Sequence, residues 1–410
     1  MRDEGFNDWL RETRVGFELR KTRWAGDDKP EQPDRRWYVD AAVSQGDSEL
    51  CELGEVIVDG LSEALSVIGV FSAIDRRLAP EAPPPRASDL VVKTRIVRVG
   101  TGCLFSLQVT DGFGTLRWHV RRESDRHVWS SLQSIQNELV QLFQDFAIRT
   151  EANSLKGARW SAHSNGCQAL MGMLLPGTLP LKELVDCSEN ALAADEQGIY
   201  HALLGYTRLL RYGERESFGL LDAEYVMQSF RTALQKSPNN ALVQALAGHS
   251  FGFVKRDLGR NADLTKEAVR GLPGNAICWT YFTISQIYSG RFKEALSAAQ
   301  KAIYLSKGTM IQPMARVAQQ FALLMSGEFE KAICVGEVTV DEIAFRPSIM
   351  NLMTAYSLAG RVEDGRSALN LLIEREPDLS IDLIRSEDYP IVNSTHRDIT
   401  IQALGQLGLH

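Results

Sequence analysis

The stretch Ala276–Lys307, AICWTYFTISQIYSGRFKEALSAAQKAIYLSK, consists of two apolar segments separated by a short polar turn. The turn contains Gly290, and glycine is favoured after a helix because it adopts positive φ without strain. In the second segment Ala295, Ala299 and Ala302 recur at helical spacing. Small side chains at that spacing let two helices approach closely. The stretch therefore predicts a helical hairpin.

Similar hairpins recur from about residue 205 to residue 377. The turn glycines Gly290, Gly327 and Gly360 lie 37 and 33 residues apart, and Pro238 and Pro273 lie 35 residues apart. A period near 34 residues is typical of tetratricopeptide (TPR) hairpins. One hairpin cannot bury its apolar face alone, so we expect an all-α, TPR-like superhelical solenoid whose concave side binds another polypeptide.

The composition is that of a globular protein with more than one domain. The chain has 410 residues, of which 44% are hydrophobic and 24% are charged. No segment reaches the roughly 18–20 apolar residues that span a bilayer, and the first residues lack the apolar core of a secretory signal. We therefore expect a cytoplasmic protein without a membrane anchor. A net charge of −7 disfavours a protein-wide nucleic-acid surface.

Residues 1–35 predict a short amphipathic helix followed by a charged linker. Phe6, Trp9, Leu10 and Phe17 fall near helical spacing, and the following segment is rich in charged residues and proline.

Residues 36–150 predict a small two-layer α/β domain. Alternating patterns indicate strands at Trp37–Val43, Val70–Ile74, Leu90–Ile96, Cys103–Val109 and Leu116–Val120. Helical patterns run over Leu53–Ile68 and Val128–Phe146. The last three strands are joined by glycine-containing turns, so we expect them to be antiparallel. Residues 151–410 predict the TPR-like domain, with Ala162–Leu175 and Leu181–Ala194 as its first hairpin and a cap after Asp378.

Several of these segments resemble bacterial TolB-like amino-terminal domains. They are EVIVDGLSEALS at Glu55–Ser66, VFSAI at Val70–Ile74, Val91–Gly112, Leu116–Trp118 and Ser131–Phe143. The order and spacing match over residues 36–150, and TPR hairpins usually follow such a domain in that family. The resemblance implies the carboxy-terminal half of a cytoplasmic regulator.

In those regulators the amino-terminal module is a winged-helix DNA-binding domain or a class III adenylate cyclase. Neither module is visible in this sequence. The resemblance thus implies bacterial signalling or transcriptional regulation, and we do not expect direct nucleic-acid binding without an extra domain.

The sequence gives no positive support for catalysis or for a cofactor. His163 and Cys167 share a helical face at metal-ligand spacing, but two ligands are too few, and a packed helix face is the alternative. The six cysteines are scattered without a Cys-x-x-Cys pair, which favours reduced thiols. No Gly-x-Ser-x-Gly nucleophile turn is present. We expect a protein that is not an enzyme and holds neither metal nor cofactor.

A basic patch is expected on the sheet. Residues 90–126 contain seven Lys or Arg against three Asp or Glu. The candidate anion-binding side chains are Lys93, Arg95, Arg117, His119 and Arg121. An ordinary solvated sheet face is the alternative.

The second candidate site is the groove of the solenoid, which the first helix of each hairpin lines. The candidate partner-binding residues are Tyr206, Arg208, His249, Tyr281, Gln286, Gln319 and Gln320. Each is also compatible with ordinary surface or interhelix packing. The leading hypothesis is a non-catalytic scaffold that binds a protein partner or a second copy of itself. The alternatives are the ligand-sensing half of a DNA-binding regulator and an unrecognised hydrolase.

Overall fold

The computed structural model describes residues 35–45, 48–124, 129–153, 161–215, 223–387 and 389–409. The helix expected near Phe6–Phe17 lies outside the described residues. The described chain folds into a sheet covered by helices, followed by a long helical stack.

One mixed sheet is formed by six strands of the described residues. They are β1 (Arg36–Val39), β2 (Val43–Gln45), β3 (Ser72–Asp75), β4 (Leu90–Val99), β5 (Gly102–Asp111) and β6 (Leu116–Ser124). The strand order is β3-β1-β4-β5-β6, and β2 also pairs with β4. The antiparallel arrangement of β4, β5 and β6 is confirmed.

The expectation of one strand over Trp37–Val43 is wrong. β1 and β2 both run parallel to β4, and three residues, Asp40–Ala42, separate them. On β4 only two residues separate the matching positions, Val92 and Arg95, so the extra residue interrupts the ladder as a bulge does.

Two helices, α1 (Ser48–Ile68) and α2 (Trp129–Ala152), cover one face of the sheet. Trp37 packs edge-on against Phe143 of α2, with 5.8 Å between ring centroids. Ile57 and Leu61 of α1 are fully buried in the same core. The sheet and its two helices therefore form the two layers that the sequence predicts.

The rest of the described chain is helical. The helices are α3 (Ala162–Leu174), α4 (Leu181–Ala194), α5 (Gly198–Gly213), α6 (Ala223–Lys236), α7 (Ala241–Lys255), α8 (Leu258–Gly271), α9 (Ala276–Tyr288), α10 (Phe292–Ser306), α11 (Gln312–Met325), α12 (Phe329–Ile343), α13 (Arg346–Leu358), α14 (Val362–Arg375), α15 (Ile381–Arg385) and α16 (Ser394–Leu407). From α3 to α14, consecutive helices pair into six hairpins of the described chain.

The hairpins stack through their first helices. Each of α3, α5, α7, α9 and α11 contacts the first helix of the next hairpin, and α13 contacts α16 of the carboxy-terminal cap. The turn glycines Gly290, Gly327 and Gly360 adopt φ of 71°, 77° and 78°, as expected for a helix end. The helical repeat and its turns are thus confirmed.

The sheet and the helical stack share a continuous interface. The side chain of Asn275 caps α9 and donates to Gln144 Oε1 of α2 at 3.3 Å. Asp145 of α2 accepts a hydrogen bond from the backbone of Met310. Val70 belongs to the apolar core of the first hairpins. None of the helices in the described ranges has the length and apolar character needed to cross a membrane.

Candidate functional site

Four of the five basic-patch residues lie on the sheet face opposite α1 and α2. Lys93 and His119 flank Gln108 in one row, and Arg95 and Arg121 flank Ser106 in the next. Lys93, Arg95 and Arg121 are exposed. Their anion-binding role stays a prediction.

Arg117 differs from the other four. Its Nη2 pairs with Asp111 Oδ2 at 2.8 Å, and it lies where the β5–β6 register shifts. This arginine is engaged at the hairpin turn, beside the rows that hold the other four residues.

His119 contributes little positive charge to this face. Arg121 Nε donates to His119 Nε2 at 3.0 Å, and Ser106 Oγ lies 3.2 Å from the same nitrogen. Burial lowers the pKa of His119, and the charge of Arg121 lowers it further. The ring is therefore neutral at pH 7, and the positive charge of the rows comes from the lysine and the arginines.

Three of the predicted groove residues form one aromatic cluster. The Tyr206, His249 and Tyr281 rings lie 5.4–5.8 Å apart by centroid. Phe253 stacks on His249 at 5.6 Å. The cluster is buried, because α5, α7 and α9 converge on it. In this structure these rings line the interior and do not lie on an open groove.

The other groove candidates are engaged in packing or lie at the surface. Gln320 is fully buried, and its amide exchanges two hydrogen bonds with Ser348, at 3.1 and 2.7 Å. Gln286 is also buried, and Gln319 is half-buried. Arg208 pairs with Glu189 at 2.6 Å. Gln286 and Gln320 are thus buried in the helical packing, and the partner-binding role of the groove candidates stays a prediction.

A cavity of about 120 Å³ occupies the centre of the solenoid. We call it the central cavity. All five first helices from α5 to α13 line it, with Leu209, Phe253, Ile284, Val317 and Met350 as apolar examples from each. The remaining wall is the segment Pro390–His396, which precedes and begins α16. The chain's own carboxy-terminal region thus occupies part of the concave side.

Two buried histidines lie in the wall of the central cavity. His396 Nε2 lies 3.1 Å from Asn351 Oδ1, and Phe321 packs against the His396 ring. His249 Nδ1 is buried without a hydrogen-bond partner in the described structure. Burial lowers the pKa of His249 to about 4 and that of His396 to about 3. Both rings are therefore neutral at pH 7.

A buried ion cluster, which we call the latch, joins the end of α5 to the α13–α14 hairpin. Arg346 Nε pairs with Glu376 Oε2 at 3.0 Å, and Arg215 Nε pairs with Glu376 Oε1 at 2.9 Å. Arg346 Nη1 donates to the carbonyl of Gly213 at 3.0 Å, and Nη2 bonds Tyr389 Oη. The latch therefore joins hairpins that lie far apart in sequence.

Sequence reasoning missed the latch, the central cavity and His396. The latch joins residues more than 130 positions apart, and no local pattern marks such a pair. The sequence around Arg346 contained one signal for the latch. This arginine is the first residue of a helix, it directly precedes a proline, and an apolar stretch follows.

The metal-spacing pair on α3 is part of the packing. His163 Nδ1 lies 3.2 Å from Tyr200 Oη. Cys167 is fully buried, and burial raises its pKa well above the usual value. Nearby, Glu151 Oε1 accepts a hydrogen bond from Trp37 Nε1 at 2.8 Å, and burial raises the pKa of this carboxyl. Within the described ranges, no three His, Cys, Asp or Glu side chains are placed to hold a metal ion.

An open depression lies on the outer side of the α9–α10 hairpin. Trp279, Ser297, Gln300, Lys301 and Tyr304 line it, and we call it the junction depression. Trp279 Nε1 donates to the carbonyl of Pro273 at 2.8 Å, which fixes the indole. Tyr304 is 50% exposed, and its hydroxyl contacts Ser134 of α2. The depression therefore lies where the sheet domain meets the repeats.

No family model matches the chain, and no curated protein matches it. The resemblance of residues 36–150 to TolB-like domains therefore stays a prediction.

Several solved structures are similar to part of this chain. A thermophilic TPR protein of Thermus thermophilus is 15% identical, with 49% of this chain and 97% of that chain covered and a TM-score of 0.36. PilW, a type IV pilus biogenesis factor, is 17% identical over 50% of this chain and 91% of its own, with a TM-score of 0.36. The human IFIT1 dimer with PPP-AAAA is 14% identical over 68% and 67%, with a TM-score of 0.42. TM-scores below 0.5 carry no inference about function. The assignment of a helical repeat fold is therefore based on the helices of this structure and on their pairing into hairpins.

Proposed function

We propose that this chain is a non-catalytic regulatory protein that binds a protein partner through its helical repeats, in bacterial signalling or transcriptional regulation. The junction depression is the observation that carries this proposal. Its Trp279 and Tyr304 are the residue types that contribute most to protein–protein affinity. Because a backbone hydrogen bond holds Trp279 in place, little side-chain entropy is lost when a partner binds.

The chemistry of the depression favours one kind of partner segment. Tyr304 and Trp279 form an apolar contact surface. Lys301 lies beside them, with its ammonium 5.6 Å from the centroid of the Tyr304 ring. A lysine at the rim favours a carboxylate on the partner. The preferred segment therefore carries an apolar anchor next to Asp or Glu. The concave side, by contrast, is lined by Pro390–His396 of the chain itself.

The test is affinity capture from the source cell with the full chain, followed by binding measurements with the recovered partner. We expect Tyr304→Ala and Lys301→Glu each to weaken binding about tenfold or more. Tyr225→Ala is the matched control, since Tyr225 is a similarly exposed tyrosine on α6. Hydrogen exchange on the complex should show protection in α9 and α10.

Equal binding by all three variants would refute the assignment. So would protection confined to the sheet strands, because the partner would then dock away from the repeats.

A further inference from the structure

We infer that the central cavity is a binding site for a small, uncharged aromatic molecule of about the size of phenol that carries one hydrogen-bonding group. The central cavity shares no lining residue with the junction depression. This inference therefore does not rest on the proposed partner-binding function.

The volume sets the size of the ligand. The central cavity measures about 120 Å³. An engineered apolar cavity of about 150 Å³ in another protein stays dry and binds benzene. The space here is of the same order and therefore suits a ligand built on a single six-membered ring.

The walls favour a flat, aromatic ligand. Phe253 and Tyr288 stack beside His249, with centroids 5.6 and 5.8 Å from its ring. Phe321 packs against His396 on α16, at 4.6 Å. Aromatic rings prefer offset or edge-to-face partners at such separations, so a planar ligand gains contacts that an aliphatic one of equal volume does not.

One polar atom in the wall calls for a hydrogen-bonding group on the ligand. His249 Nδ1 is buried without a partner among the described residues, and the residue is only 8% exposed. A buried polar atom without a partner is costly, and a ligand hydroxyl removes that cost. A phenolic hydroxyl both donates and accepts, so it matches either tautomer of the neutral ring.

The charge in the wall excludes an ionic ligand. Arg346 is the one charged side chain among the described lining residues. Its guanidinium is already bonded to Glu376, to the Gly213 carbonyl and to Tyr389 Oη. A carboxylate in the cavity would thus lack a counter-charge, and an uncharged ligand is preferred.

Phenol and toluene form a matched pair of probes, since they differ by a hydroxyl in place of a methyl group. In calorimetric titrations of the full chain we expect both to bind, and phenol about fivefold more tightly or better. His249→Phe keeps a ring but removes Nδ1. It should reduce phenol affinity to that of toluene and leave toluene affinity unchanged.

Two variants on α11 distinguish loss of binding caused by filling the cavity from loss caused by any substitution in that helix. Ala318→Leu places three extra carbons into the cavity and should abolish binding of both probes. Gln319→Leu lies on the same helix outside the cavity lining and should retain both.

Methyl NMR of labelled methionines gives a readout that does not depend on the folding of Ala318→Leu. In the wild-type chain, phenol should shift the Met314 and Met350 methyl signals, since both side chains line the cavity, and leave Met173 unmoved. Absence of binding by the wild-type chain overturns the proposal. So does phenol binding that is insensitive to His249→Phe, or unmoved Met314 and Met350 signals.

Discussion

At the scale of single residues, His249 and His396 make stability depend on pH. Burial holds the pKa of His249 near 4 and that of His396 near 3, whereas an unfolded histidine titrates near 6.5. Below that value the unfolded chain binds protons that the folded chain does not. The folded state is therefore fully favoured above pH 6.5 and loses stability as the pH falls towards 4.

When the pH is lowered from about 7.5 to about 5, we expect each buried histidine to decrease the free energy of unfolding by about 2 kcal/mol. Urea titrations at the two pH values measure this loss. His249→Phe removes one titrating ring and should reduce the loss by about 2 kcal/mol. A free energy of unfolding that stays level across this range would contradict the burial of the two rings.

The residue scale also shows where sequence reasoning stops. The repeat pattern correctly placed Tyr206, His249 and Tyr281 on the first helices of their hairpins. It did not indicate how tightly those helices converge, which depends on the curvature of the whole solenoid. Tyr206 and His249 are therefore buried in the wall of the central cavity, and Tyr281 is buried beside them.

At the scale of elements, the latch holds α5 against the α13–α14 hairpin. Glu376 is fully buried and pairs with both Arg346 and Arg215, and Arg215 also pairs with Asp378 at 3.2 Å. Removing one member of a buried ion pair leaves an uncompensated charge in the interior. We expect Glu376→Gln to lower the free energy of unfolding by about 3 kcal/mol, measured by chemical denaturation.

Glu363 provides a matched control within α14. It pairs with Arg366 at 2.8 Å, but its side chain is 84% exposed, so solvent screens the pair. Glu363→Gln should change stability by less than about 1 kcal/mol. Similar effects of the two substitutions would mean that the latch does not join the hairpins.

Elements whose pattern is local were predictable from the sequence. The alternation in Leu90–Ile96 and the helical spacing in Ala295–Ala302 each determine which face of one element is buried. The division between β1 and β2 was not predictable. It depends on how Asp40–Ala42 align with β4, a strand about 50 residues away.

At the scale of the whole molecule, Asn275 connects the two folded parts. Its Oδ1 caps α9 through the amides of Ile277 and Cys278, at 2.9 and 3.1 Å, and its Nδ2 donates to Gln144 of α2. Asn275→Asp keeps the cap acceptor and loses the bond to α2, whereas Asn275→Ala loses both.

We expect Asn275→Ala to lower the free energy of unfolding by about 1 kcal/mol, and we expect the free energy of unfolding of Asn275→Asp to lie between that of Asn275→Ala and that of the wild type. Hydrogen exchange provides a second readout. Amides of α2 should exchange faster in both variants, while α9 should lose protection mainly in the alanine variant. Unchanged exchange in α2 would show that the two parts are held by their apolar contacts alone.

The contact between distant hairpins has a mechanical consequence. An open solenoid behaves as a spring, since each unit touches only its neighbours and small rotations add up along its length. Here Arg346 of α13 is bonded to the carbonyl of Gly213 at the end of α5, so rotations of the hairpins between these two helices are opposed by that contact. Displacing one of these hairpins relative to the next therefore also strains the contact between α5 and α13.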